Sequence, residues 1–222
     1  CEDLALLKKG LRNPNKHKAA EAAEVLGYLQ TLLLQDYSAA EKSARRSIEL
    51  DPTREAAWDI LLGCLLATES YPKLAAVCRE RLECKDSARN RLLLANAYAD
   101  LDQLDRAEAV IRVGLNRQPD DFMLNLALAH ILLTHDDSDH LKQAGEILYE
   151  LRTKELADAG GENRWANYCF ACGIYFGLIG EVQRAYEWLK PVQEKQPEYP
   201  GIKEALEAFN KPGEPVIPPP RP

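Results

Sequence analysis

Long apolar runs are missing from this chain. The longest pieces, such as 60–66, are broken by Gly63 and end at Thr68 and Glu69, far short of the roughly 18 consecutive apolar residues that a bilayer-spanning helix needs. No membrane insertion is therefore expected. Glycine is scarce, with 12 in 222 residues, which leaves too few turn-formers for an all-β chain of tight hairpins. A basic excess is missing as well. Lys and Arg total 28 against 35 Asp and Glu, a net charge of -7, so the clustered cations that neutralise phosphates are not supplied and nucleic acid is excluded as a main partner. The sequence also holds no G-x-S-x-G, no glycine-rich phosphate loop and no H-E-x-x-H. Nothing in it assembles a nucleophile, a base and an oxyanion donor. No enzymatic activity and no cofactor are expected.

What the sequence does have is a period. Trp58-x-x-Leu61-Leu62-x-x-Leu65 leads to Leu74-x-x-x-Cys78; Leu94-Ala95-x-x-Tyr98 leads to Ala107-x-x-x-Ile111 and Pro119; Cys172-Gly173-x-x-Phe176 leads to Ala185-x-x-x-Leu189 and Pro197. Leu26-Gly27 leads to Ala40-x-x-x-Ala44 and Pro52, and Leu128-Ala129-x-x-Leu132 leads to Ala144-x-x-x-Leu148. Ala40 to Leu74 is 34 residues, Leu74 to Ala107 is 33, Ala107 to Ala144 is 37 and Ala144 to Ala185 is 41. Each unit reads as two amphipathic helices with apolar residues at i, i+3, i+4 and i+7. Small residues (Ala40, Ala95, Ala107, Ala129, Gly173, Ala185) stand where two antiparallel helices cross closely. Large ones (Trp58, Leu65, Tyr98, Phe176) fill the space beside them. Pro52, Pro119 and Pro197 fall where a helix must stop.

In these residues the chain resembles the tetratricopeptide repeat (TPR) family, whose signature is W-x2-L-G-x2-Y, then A-x3-F, then P, at about 34 residues. The resemblance implies an all-α, right-handed superhelical solenoid of antiparallel helix pairs, about five units plus a C-terminal capping helix. Residues 1–14 read as an N-terminal helix that would be the second helix of a preceding repeat, 19–198 as the array, 199–210 as the cap, and 211–222 as a proline-rich tail. The tail holds six of the thirteen prolines, which fits an extended polyproline segment.

The resemblance also implies where a partner sits, since the first helix of each pair lines the concave face in this family. By phase the groove residues are Tyr28 and Thr31, Asp59 and Gly63, Arg89, Leu92 and Asn96, Met123, Leu126 and His130, and Asn167, Phe170 and Ile174. The first helices, at 19–33, 55–68, 88–100, 122–135 and 164–178, contain no lysine. A lysine clamp on a C-terminal carboxylate is therefore not expected. A mixed polar and apolar groove suits an extended or helical segment held by backbone contacts and small pockets. Asn96 offers both a donor and an acceptor to such a backbone.

Two motifs carry possible chemistry. Cys169-x-x-Cys172 places two thiols on one helix face, as a redox pair or half a zinc site requires, but no second ligand pair exists and packed apolar residues flank both. Core packing is the expectation. His135-Asp136-Asp137-Ser138-Asp139-His140 has the composition of a metal loop, yet it lacks the mid-loop glycine and late glutamate of a calcium loop. It is expected to be an inserted turn capped by Ser138 or Asp139, with no metal. The six cysteines, at 1, 64, 78, 84, 169 and 172, suit reduced buried thiols in a cytoplasmic protein.

The leading expectation is thus a protein-interaction scaffold that binds a peptide or protein segment, one region of a larger bacterial-type protein, with an exposed first repeat that leaves room for self-association. A second reading makes Cys1 an acylated residue and the array a lipid-anchored envelope assembly factor facing the periplasm. A third gives Cys169 and Cys172 a thiol redox or metal-binding role.

Overall fold

A computed structural model describes residues 7, 9–135, 137–155 and 162–209. The expectations placed on Cys1, on most of the first eleven residues and on the tail 211–222 lie outside them. The described residues form eleven α-helices and no strand: α1 Lys16–Leu32, α2 Tyr37–Leu50, α3 Glu55–Ala67, α4 Tyr71–Cys84, α5 Ala88–Asp100, α6 Leu104–Arg117, α7 Phe122–Leu132, α8 Ser138–Glu155, α9 Glu162–Leu178, α10 Val182–Lys195 and α11 Ile202–Phe209. They fall into two compact units, 1–103 with α1 to α5 and 104–222 with α6 to α11.

Within the first unit consecutive helices pack on one another, and α1 also packs on α3. The second repeats the rule: α7 pairs with α8, α9 with α10, and α7 also meets α9. The crossings close over alanine. Ala40, Ala44, Ala107, Ala129, Ala144 and Ala185 are wholly buried, and bulkier side chains fill the flanks, with Trp58, Leu61 and Leu65 in one unit and Leu124, Leu132 and Leu189 in the other. Buried polar groups find partners as they enter these layers. Trp58 Nε1 donates to the Pro52 carbonyl at 2.9 Å, Ser47 Oγ to Ala20 O at 2.8 Å and Tyr168 Oη to Leu148 O at 3.0 Å. The terminal α11 buries Ile202, Ala205, Leu206 and Phe209 on the inside, and a Cβ placed on Gly177 of α9 would overlap the Phe209 ring.

The turn from a first to a second helix follows one geometry in three places. Glu69, Asp102 and Gly180 each take a left-handed backbone conformation two residues before the second helix begins (φ 49°, 60° and 84°). The amide of the next residue then reaches back five positions, Ser70 N to Leu65 O, Gln103 N to Tyr98 O and Glu181 N to Phe176 O, at 2.8–2.9 Å. This is a Schellman closure, which satisfies carbonyls that the helix end leaves open. Gln35 takes the same conformation between α1 and α2 (φ 50°).

The first helix starts earlier than the phase suggested. Asn15 accepts from the amides of His17 and Lys18, an N-cap that carries α1 back to Lys16, so the expectation of lysine-free first helices fails at Lys16 and Lys18. The other four first helices contain none.

Two substitutions test these constraints. Glu69→Gly relieves a left-handed residue that carries a Cβ and should raise stability by about 0.5–1 kcal/mol. Gly177→Ala should lower it by about 1–3 kcal/mol through overpacking against Phe209. Chemical denaturation of each variant reads both changes.

Candidate functional site

In the first unit the residues expected to line a groove stay largely open. Tyr28 of α1 is 54% exposed. Thr31 turns inward instead: its Oγ1 donates to Gly27 O at 3.0 Å and lies 3.7 Å from Cys64 Sγ. On α3 the Asp59 carboxylate accepts from Arg81 at 3.1 Å and from Arg89 at 3.2 Å. Arg81 is buried and also donates to Glu55 at 2.7 Å, while Lys85 reaches the other Glu55 oxygen at 2.6 Å. Hydrogen bonds from Lys85 and then Arg81 hold the Glu55 carboxyl below its ordinary range. Asp59 and Arg89 therefore already serve each other, and a charged ligand would have to compete with that pair. Arg89, Leu92 and Asn96 share one face of α5 by their spacing; Leu92 is half-buried and Asn96 exposed. Gly63 is exposed, and a Cβ there would meet nothing within 4 Å.

In the second unit the residues do come together, but as a packed cluster. His130 stacks on Phe170 with ring centroids 6.3 Å apart, and its Nε2 lies 3.3 Å from the Asn167 carbonyl. Burial lowers the His130 pKa and the carbonyl opposes the shift, so the ring is neutral at neutral pH with Nε2–H as the donor. Tyr199 lies against Phe170 at 5.1 Å between centroids, and its hydroxyl donates to Asn167 Oδ1 at 2.7 Å. Phe170 and Ile174 are only 8% and 7% exposed and Leu126 2%. These three belong to the core of the unit rather than to an open groove, and Phe170 lies under the turn at 196–201, against Tyr199 and Gly201. Met123 and Asn167 are half-buried. Asn167 opens onto a cleft of about 470 Å³ that Gln196, Pro197, Glu198, Tyr199 and Pro200 complete. Tyr199 escaped the sequence reading because it follows the last repeat and belongs to no first helix.

The His135 turn differs from its expected form in two respects. Asp137 caps α8, accepting from the amides of Asp139 and His140 at 3.0 and 2.9 Å, where Ser138 or Asp139 was expected. Glu108, which sequence pattern did not connect to this turn, brings a carboxylate within 3.9 Å of both His135 and His140.

Cys169 and Cys172 are buried at 3% and 4% exposure. Burial pushes their thiols up to about 12 and about 11, and Cys78 to about 11. A thiol in that state is protonated at neutral pH and a poor nucleophile, which removes support from the redox reading. Cys84 is exposed. A thiol reagent at pH 8 should therefore modify Cys84 in the folded chain and leave Cys78, Cys169 and Cys172 untouched until denaturant is added. The raised values also favour the folded state up to the ordinary thiol range near pH 9. That contribution is lost as pH rises from about 9 towards 11–12, by up to about 1.4 kcal/mol per pH unit per thiol, and alkaline unfolding of the wild type against a Cys169→Ala, Cys172→Ala variant reads it.

No protein-family model matches the sequence, and no curated protein does. Solved structures do. The chain is similar to YrrB, a TPR protein with an unusual peptide-binding site, at 14% identity over 92% of this chain and 98% of that one, with a TM-score of 0.59. It is similar to a tetratricopeptide repeat protein from Parabacteroides merdae at 18% identity over 95% and 77%, TM-score 0.62, and to pilF of Pseudomonas aeruginosa at 16% identity over 93% and 86%, TM-score 0.61. Among the described residues no helix is long and apolar enough to cross a membrane. The period of the sequence, the repeated helix pairs and these likenesses agree: the chain has the tetratricopeptide repeat fold.

Proposed function

We propose that the chain is a non-catalytic scaffold that holds an extended or helical segment of another polypeptide along the first helices of its pairs. The observation that carries this reading is Gly63. Glycine inside a helix costs about 1 kcal/mol relative to alanine, and the fold gives no return for it, since a Cβ at this position would touch nothing. Gly177 is different, because its missing Cβ makes room for Phe209. Gly63 lies one turn beyond Asp59 on α3, so an absent side chain there lets a ligand backbone approach the helix closely. Tyr28 supplies exposed aromatic surface and Asn96 an amide that can pair with a peptide backbone. In the second unit Asn167 and Tyr199 edge a cleft large enough for one or two side chains of a ligand. A peptide-binding site in YrrB, whose fold this chain shares, supports a peptide as the class of ligand.

The test is selection of peptides from a displayed random library on the full chain, followed by affinity measurements on variants whose circular dichroism matches the wild type. Gly63→Leu and Asn96→Ala should each weaken the selected peptides about tenfold or more, whereas Gly63→Ala should raise the melting temperature. Peptides that bind all variants equally, or a library that yields none, would remove this reading of the first helices.

A further inference from the structure

The turn between α7 and α8 breaks the repeating geometry. The units before it recur at 33–34 residues, but Ala107 to Ala144 takes 37. In place of the Schellman closure, Leu133, Thr134 and His135 continue short backbone bonds to Ala129, Ile131 and Leu132. The added residues carry His135 and deliver His140 at the start of α8. Both imidazoles meet Glu108, which α6 presents from within the same unit.

Three donor atoms converge there. Nε2 of His135 and Nε2 of His140 each lie 3.9 Å from Glu108 Oε2, and the three side chains offer ligand atoms within 4.8 Å of one another. The two rings stack with centroids 4.2 Å apart and an interplanar angle of 12°, which sets their Nε2 edges side by side. The far ends of two of the groups are already held. Arg112 Nε donates to Glu108 Oε1 at 2.6 Å and Arg112 Nη2 to Gln143 at 3.1 Å, leaving Oε2 to face the histidines. Asp137 Oδ2 pairs with His140 Nδ1, while its Oδ1 is taken up by the helix cap. A neutral His140 that donates from Nδ1 keeps its lone pair on Nε2, the tautomer a metal ligand needs, and a carboxylate behind a histidine is the usual way to fix it. His135 Nε2 is buried and has no hydrogen-bond partner among the described residues. Folded proteins rarely leave such an atom unserved.

We propose that Glu108, His135 and His140 bind one divalent transition-metal ion of the zinc class through Glu108 Oε2 and the two Nε2 atoms, and that the ion staples the inserted turn to α6. Two imidazoles and one carboxylate suit zinc and its neighbours rather than calcium or magnesium, which take oxygen ligands. A tetrahedral zinc with bonds of about 2.0–2.1 Å holds its ligands about 3.3 Å apart, so binding draws Glu108 Oε2 in from 3.9 Å on each side and tilts the two stacked rings until their in-plane lone pairs converge on the ion. Three protein ligands leave the fourth position to water. Asp137 and Arg112 act as positioning residues. The site is independent of the peptide-binding reading, since it uses none of that reading's residues.

The experiment uses the full reduced chain with Cys1→Ser and Cys84→Ser, so that accessible thiols do not compete. Cobalt(II) is titrated as a spectroscopic probe, and zinc affinity is measured by competition with a chromophoric chelator. The expected result is one ion per chain, tetrahedral cobalt bands without thiolate charge transfer, and two exchangeable imidazole N–H signals shifted by the paramagnetic ion. His135→Ala, His140→Ala and Glu108→Gln should each weaken zinc at least tenfold and Asp137→Asn about tenfold, and zinc should raise the melting temperature of the wild type but not of the double histidine variant. If an alanine variant does not fold, the cobalt spectrum and shifted signals of the parent chain decide alone. No saturable binding at micromolar zinc, a thiolate band, or affinity that survives loss of both histidines would overturn the proposal.

Discussion

The close approach of antiparallel helices at alanine is the constraint on which this structure rests. Ala40, Ala44, Ala107, Ala129, Ala144 and Ala185 are each wholly buried, so a longer side chain at any of them would have to displace its neighbours. Helices that approach so closely bring their backbones within reach of the partner's side chains. Ser47 of α2 can then donate to a carbonyl of α1, and Tyr168 of α9 to one of α8. A longer side chain at such a crossing would part the helices and strand these donors, adding lost hydrogen bonds to the packing strain. One helix pair leaves an apolar face uncovered, so each must be stacked on the next. The crossings thereby fix the period of the sequence.

Turn chemistry is the second layer. A first helix that ends in a left-handed residue and a five-residue reach-back closes in a fixed number of residues, which keeps the next helix in phase. Glu69 and Asp102 hold this geometry without being glycine, so the fold tolerates some local strain to keep the register. Between α7 and α8 the closure is replaced by an inserted turn, and three donor atoms from α6, the turn and α8 collect there.

Sequence phase made the helix pairs legible because the recurrence of Ala40, Leu74, Ala107, Ala144 and Ala185 at 33–41 residues and the helix-ending prolines report directly on the packing. It served less well for individual side chains. Phase put Phe170 and Ile174 on an open face where the structure buries both, and it carries no information on the 196–201 turn that lies against Phe170. It started α1 three residues late because a capping asparagine before polar residues leaves no mark in an apolar pattern. Glu108 was out of reach for another reason. A carboxylate 27 residues before His135 belongs to an exposed-looking position on an amphipathic helix, and only the folded chain shows that the inserted turn comes down upon it. Cys169 and Cys172 were legible as packing residues because their neighbours are apolar, and the same burial keeps their thiols protonated.

Local rules are broken at a few places, and these do not all mean the same thing. A sequence consistent with its fold at every level leaves little unexplained, and departures concentrate where function imposes a competing demand. Glu69 strains its backbone, but the strain repeats at Gln35 and Asp102 and so belongs to the architecture. Gly63 forgoes helix propensity with no packing gained, and His135 buries a nitrogen that nothing in the fold satisfies. Neither recurs at the matching point of another repeat: Gly63 corresponds by spacing to Tyr28, Asn96, His130 and Ile174, and no other described turn buries an unpaired imidazole. A cost that recurs with the period is a cost of folding. A cost that appears once, beside open space at Gly63 and beside two further ligand atoms at His135, is better explained by something that the chain binds.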